Sequence, residues 1–541
     1  MTRPATRRLG TAAAALLTTA ALSGGVLTVD TSALPALVAT APRAPALAAV
    51  DLETATAADL SALLATRRVT SRQLVAAYTE RIELLNTDGP GINAVRALNP
   101  DAVDDARVLD RERSRGVVRG PLHGVPVLLK DNIDVAGMPT TAGSIALEDS
   151  YPATDAPLVT ALEEAGAVVL GKTNLSEYAN FTTAGMPSGY GSLGGQVLNP
   201  YDASVTPSGS SSGTGAGIAV GMAPVGIGTE TSGSILSPAQ ANSLAAVKPT
   251  VGLVSRTGII PISATQDTAG PMTTTVTDAA LLLDAMVSVD PEDPATAGAA
   301  PYVDLDYAAA LSDTSLQGAR LGLVVPAPTT PPTPLNPLLQ AAVDTLTAQG
   351  ATLVPVTVPG SQAPSILVAE FERDINAYLA RLPEEAPMDT LSDIVAFNQG
   401  RPEMKFGQTL LVESEAVDLT DPATLAAYEA ARTQGLTESR ASIDTVLTTN
   451  DLDAVVSLSA TTGVAARAGY PSVSVPAGYA AANGRPANVT FMGTAFAEET
   501  LLSLAYDYEQ ASLLRRPPSE VNPTLFRCLE PEEERDDSCA P

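Results

Sequence analysis

Two hydrophobic periods alternate along the chain. Leu60, Leu63 and Leu64 recur at helical spacing, and Leu74, Val75, Tyr78, Ile82 and Leu85 continue it behind the capping pair Thr70-Ser71. Residues 102–115 carry the same spacing among charges, so 49–115 reads as helices. The period then changes. Val125 to Leu129 form an unbroken apolar run ending at Lys130-Asp131-Asn132, which predicts a buried strand. A short helix over 158–165 is closed by Gly166 and followed by a strand over 167–170. Further strands are expected at 321–325, 353–358, 454–458 and 472–475, with helices at 337–349, 425–446 and 498–514 among them. This alternation predicts an α/β fold, a single large domain with a central mixed β-sheet covered by helices on both faces. Proline clusters at 291–301 and 326–337 mark surface connections. A break at 290–320 offers a division into two domains, but the strands on either side fit one sheet.

Charge narrows the partners. The 541 residues carry a formal net charge of −29, which argues against nucleic acid or an anionic membrane. The first residues form a separate unit. Arg3, Arg7 and Arg8 precede a small apolar run over 9–29, and Ala46-Leu47-Ala48 is a cleavage candidate. Residues 1–48 therefore read as a signal peptide and leader, with a permanent membrane anchor as the structural alternative, 49–520 as the folded domain, and 521–541 as an acidic C-terminal tail with two Cys. Removing 1–48 takes away four Arg and one Asp and leaves the mature chain at −32. No later segment is long and apolar enough to span a bilayer, so a secreted or cell-envelope protein of bacterial type is expected, without stable membrane insertion after processing. In an oxidising compartment Cys528 and Cys539, which flank the acidic segment 530–537, can close a small loop. A monomer is expected.

The chemistry is bounded by what the chain lacks. It has one histidine, His123, and four lysines, Lys130, Lys172, Lys248 and Lys405. A zinc site built on several imidazoles is excluded, and neither a metal nor an organic cofactor is expected. A Ser-His-Asp site has only His123 to use, and that residue is assigned a structural role. Serine and glycine, by contrast, concentrate over 208–234, downstream of a lysine that ends an apolar run. That combination points to a serine nucleophile activated by lysine. Lysine at its free pKa of about 10.4 is useless as a base, and burial supplies the necessary shift. The run 166–173 formally matches a phosphate-binding loop, but its middle is a β-branched strand, so that reading is rejected.

Several segments carry a resemblance to a known family. They are Gly209-Ser210-Ser211-Ser212-Gly213, Gly228-Thr229-Glu230-Thr231-Ser232-Gly233-Ser234-Ile235, and Val247-Lys248-Pro249-Thr250 with Gly270-Pro271-Met272. Upstream stands His123-Gly124-Val125-Pro126, running on to Lys130-Asp131, and downstream stand Gly469-Tyr470-Pro471 and Phe491-Met492-Gly493. In this order and spacing the chain resembles the amidase signature family from about 55 to 518. The resemblance implies a Ser-cisSer-Lys triad: Lys130 as base, Ser210 as bridge with a cis bond from Gly209, and Ser234 as nucleophile. It also implies an oxyanion hole built from the backbone N–H groups of Thr231, Ser232 and Gly233, with that of Ser234. Ser211, Asp131 and Asp267 are expected to support the site.

The family's pattern is not matched everywhere. Ser232 stands where a glycine is usual, Glu230 replaces an Asp, Leu236 replaces an Arg, and Ser212 replaces a Gly. Asn199-Pro200-Tyr201, the run Ser176 to Phe181, Gln266 to Pro271 and Glu370-Phe371 resemble the peptide amidase branch. The implied substrate is a small-molecule or peptide amide, with the C-terminal carboxamide of peptides first. Oligoamides, aryl amides and carbamates are the alternatives. A component of a transamidation complex and a catalytically silent binder are the readings from other classes.

Overall fold

The computed structural model describes residues 50–325, 335–458 and 463–529. The expected leader, Cys539 and the acidic segment before it lie outside these residues, and with them the expected disulfide.

One mixed sheet of eleven strands organises the described chain. In chain order the strands are β1 (Val95–Leu98), β2 (Pro126–Lys130), β3 (Val168–Thr173), β4 (Val225–Glu230), β5 (Ala245–Lys248), β6 (Thr268–Thr273), β7 (Arg320–Val324), β8 (Thr352–Val356), β9 (Ala454–Ser457), β10 (Ser472–Tyr479) and β11 (Pro486–Met492). Across the sheet they run β1-β3-β2-β4-β6-β5-β10-β11-β9-β7-β8. β3, β2 and β4 are mutually parallel, as are β9, β7 and β8, while the strands between alternate in direction. The break expected near 290–320 is therefore a connection, with a 3-10 stretch at Pro294–Tyr302, that leads back into the same sheet.

β2 and β4 are fully buried, as the apolar run before Lys130 predicts for parallel strands covered on both faces. The helices follow their start signals. Thr56 and Thr70 each close a capping box at the heads of Ala57–Ala65 and Ser71–Glu83. The helical reading of 49–115 is corrected at one place: Val95–Leu98 is an edge strand, because its four residues pair antiparallel with β3. Packing also continues past the boundary placed at 520, since Val521, Leu525 and Phe526 rest on the main core. A second apolar cluster joins Phe181, Ile260 and Ile262 to Phe371, Tyr378 and Leu391, and so lays the helix Leu367–Leu379 over the segment that follows β5.

Candidate active site

Parallel pairing of β2 with β4 sets Leu129 opposite Ile227, so both strands end on the same edge of the sheet. Lys130 is the last residue of β2 and Glu230 the last of β4. Open α/β sheets present their functional residues at such carboxyl ends. Beyond β4 the chain turns through Thr231 to Ile235 into the helix Leu236–Ala241, and Gly233 supplies a positive φ of 84° within that turn. The loop 206–211, leading into the helix Ser212–Ala219, lies against both strand ends. Its Gly209–Ser210 peptide bond is cis.

Lys130 is wholly buried, with Nζ 2.7 Å from Ser210 Oγ, 2.9 Å from Thr229 Oγ1 and 3.2 Å from the Thr229 carbonyl. Burial drives its pKa down to about 7, against the opposing charges of Asp267 and Glu230. Ser211 clasps the two loops. Its N–H donates to the Ser234 carbonyl at 3.1 Å and its Oγ donates to the Thr229 carbonyl at 3.2 Å. Ser212, where a glycine is usual, donates to the Ser208 carbonyl at 2.6 Å. Ser234 is 8% exposed, whereas Ser210 is sealed. Among the described residues no acceptor takes the backbone N–H of Ser232, Gly233 or Ser234. Glu230, standing in place of the usual Asp, accepts from the N–H of Ile235 at 2.8 Å and of Leu236 at 3.1 Å, which fixes the far side of the turn.

The supporting residues divide. Asp267 accepts from Thr231 Oγ1 and from the N–H of Ile262 and Ser263, the last two at 2.8 Å. Burial raises its pKa to about 6. Asp131 belongs to a different cluster. Its carboxylate meets Lys172 at 3.3 Å, Arg96 at 3.5 Å and the Thr141 hydroxyl. Lys172 thus sits buried in an ion pair, as expected of a residue that is not part of a phosphate loop. His123 is buried between the Leu109 carbonyl and the Arg119 N–H, which agrees with a structural role.

Two residues do not stand out in the sequence. Thr229 gives Lys130 two of its three contacts, and Asn132 donates to Thr229 Oγ1 at 3.1 Å and to the Ile260 carbonyl at 3.2 Å. The signal for them is the pair of polar strand ends, Lys130-Asp131-Asn132 and Thr229-Glu230, on strands that lie side by side. A cavity of about 250 Å³ is lined by Asn132, Thr229 and Thr231 together with Asp374, Tyr378 and Arg381. Lined by both apolar and polar groups, it can take a small organic molecule. The sealed lysine can act as base toward the serines.

The arrangement matches known proteins over most of its length. A family model described as Amidase matches residues 73–502. The native peptide amidase of Stenotrophomonas maltophilia superposes with a TM-score of 0.81 at 44% identity, over 86% of this chain and 98% of that one. A protein of Arabidopsis thaliana named Probable amidase At4g34880 is 40% identical over 490 residues, 87% of this chain and 92% of that one. A Glutamyl-tRNA(Gln) amidotransferase component of Moorella thermoacetica is 31% identical over 505 residues, 86% of this chain and 98% of that one.

Proposed function

Because the chain belongs to the amidase family, and is a hydrolase of carbon–nitrogen bonds by that membership, we propose that it cleaves unactivated carboxamides through an acyl-enzyme on Ser234, with C-terminal peptide amides as its substrates. The observation that carries this reading is the 2.7 Å contact between a fully buried lysine and Ser210, beside the turn that bears Ser234. The likeness to a peptide amidase supports the substrate class.

Neutral Lys130 draws a proton through Ser210 as Ser234 Oγ attacks the amide carbonyl. The N–H groups of the turn from Thr231 to Ser234 receive the oxyanion, and each such donor is worth ~3 kcal/mol in the transition state. The proton returns by the same path to the leaving nitrogen, ammonia departs, and water repeats the sequence to free the acid. Ser211 and Glu230 hold the two loops in register while this happens.

A second reading, the glutaminase-type component of a transamidation complex, draws on the likeness to the Moorella protein. The net charge of −29 disfavours a partner built of RNA. Ammonia release from a dipeptide amide and from a free aliphatic amide, with amine release from an anilide and a carbamate, tests the proposal. Ser234-dependent release from the dipeptide amide is the expected result. Substantial turnover by Ser234→Ala would overturn the mechanism, and turnover confined to the anilide or carbamate would overturn the substrate class.

A further inference from the structure

A fully buried carboxylate that the proposed reaction does not use sits on the helix Leu367–Leu379. Glu370 is 0% exposed and collects bonds from two directions. From the segment 262–267 it receives the Ser263 hydroxyl, the Thr265 hydroxyl at 2.5 Å and the Thr265 N–H at 3.2 Å. From the long helix Pro422–Asn450 it receives the Tyr428 hydroxyl at 2.6 Å. Asp374, one helical turn on, takes the N–H of Ala264 at 2.6 Å. Arg432 donates to Thr265 Oγ1 at 3.0 Å. Arg373 ties the two helices together, bonding Asp374 at 2.7 Å and Tyr428 at 2.9 Å. The segment thus has one side locked to two helices.

Its other side is locked to the nucleophile turn. Asp267 takes the Thr231 hydroxyl, and Gln266 Nε2 donates to the Thr231 carbonyl at 3.2 Å. Thr231 immediately precedes the N–H groups of the turn that have no acceptor among the described residues. Burying a carboxylate is costly unless hydrogen bonds satisfy it, and here, besides an ion pair at 3.6 Å with Arg373 of its own helix, the bonds it accepts come from this one segment and from the helix behind it.

We propose that Glu370 is a positioning residue of the oxyanion site: it grips 262–267 from the helix side and so holds Asp267 and Gln266 against Thr231, fixing the donors beside Ser234. The inference rests on the acyl-enzyme reading of Ser234. It also couples substrate contact to the turn, because the same helix presents Asp374, Ala377 and Tyr378 to the cavity.

The test compares wild type with Glu370→Gln and Tyr428→Phe, on a dipeptide amide and with a peptide aldehyde that adds to Ser234 as a tetrahedral adduct. Displacement of a donor by a fraction of an ångström to an ångström lowers kcat by about ten- to hundredfold. Glu370→Gln should show a loss of that size with KM within about twofold of wild type, and the aldehyde should lose affinity in step with kcat/KM. Tyr428→Phe removes a single hydroxyl bonded to Glu370, so it should shift kcat the same way by a smaller factor. It carries the test alone if Glu370→Gln does not fold. Unchanged kcat and aldehyde affinity in a folded variant would overturn the proposal. So would equal losses for the aldehyde and for a non-reacting product carboxylate, because that pattern marks a merely structural residue. If wild type turns over no peptide amide, or Ser234→Ala retains turnover, the acyl-enzyme reading itself has failed and this inference falls with it.

Discussion

With its ammonium form stripped of water and held by hydroxyls and a carbonyl, Lys130 gives up its proton near pH 7. As the base it must be neutral, so kcat/KM should fall as pH drops through about 7 and level off above it. The Asp267 carboxylate opposes this shift by favouring the charged lysine. Replacing it with Asn removes a negative charge, lowers the lysine's pKa further and should move the acid limb to lower pH. A pH series of kcat/KM for wild type and Asp267→Asn checks this, and an unmoved midpoint would assign the limb to another group. Lys130→Met should lower kcat by several orders of magnitude, as removal of one member of a cooperating triad does. At this scale much of the site is readable from the sequence alone. Lys130 stands out because the chain has one histidine and four lysines and this one ends an apolar run ahead of a serine-rich stretch, whereas the choice of Ser210 and Ser234 among many serines comes from the resemblance to the amidase signature family. Thr229 and Asn132 do not stand out, since a threonine and an asparagine at strand ends are unremarkable until the neighbouring strand is known. Asp131 follows the end of β2, and its pairing with Lys172 and Arg96 is not visible from its place beside Lys130 in the sequence.

The elements that hold the site are built from small residues, and this is why several are not legible in the sequence. β4 reads Val-Gly-Ile-Gly-Thr-Glu and β6 reads Thr-Ala-Gly-Pro-Met-Thr. β4 breaks its β-branched residues with two glycines, and β6 carries a glycine and a proline in its interior, which argue against a strand. Close approach explains them. A Cβ on Gly228 would stand 2.7 Å from Ser211 Oγ and 2.8 Å from Met272 Sδ. Gly228→Ala should therefore push Ser211 out of its clasp on Thr229 and Ser234. Overpacking of this kind costs about 1–3 kcal/mol, read as a lower midpoint in urea. A fall in kcat should accompany it, and full activity with wild-type stability would show that the clasp is dispensable. Long amphipathic stretches are legible, because helices such as Pro337–Ala348 and Glu498–Ser512 show one apolar face at period 3.6. The Glu370 network is not, because it joins residues on three distant segments.

For the molecule as a whole, charge is the property that acts at a distance. A surface field set by a net charge of −29 repels anionic substrates and draws cationic ones, and salt screens it. A dipeptide amide bearing a Lys side chain should show a higher kcat/KM than its Glu counterpart at low ionic strength, with the gap closing in ~1 M salt. A gap indifferent to salt would assign the preference to local contacts. Export is tested separately, by the amino-terminal sequence of protein recovered from the culture medium, where a start at Ala49 is expected. The distribution of lysines has a practical consequence as well. Lys130, Lys172 and Lys248 are all fully buried, and Lys405 lies exposed near the Tyr190 ring. An acylating reagent in solution meets one lysine side chain in the native chain, so a dye or a surface coupled through that amine is attached at a single address. Labelling of the other three then becomes a clock for opening of the core, with each newly tagged lysine timing the part of the sheet that contains it.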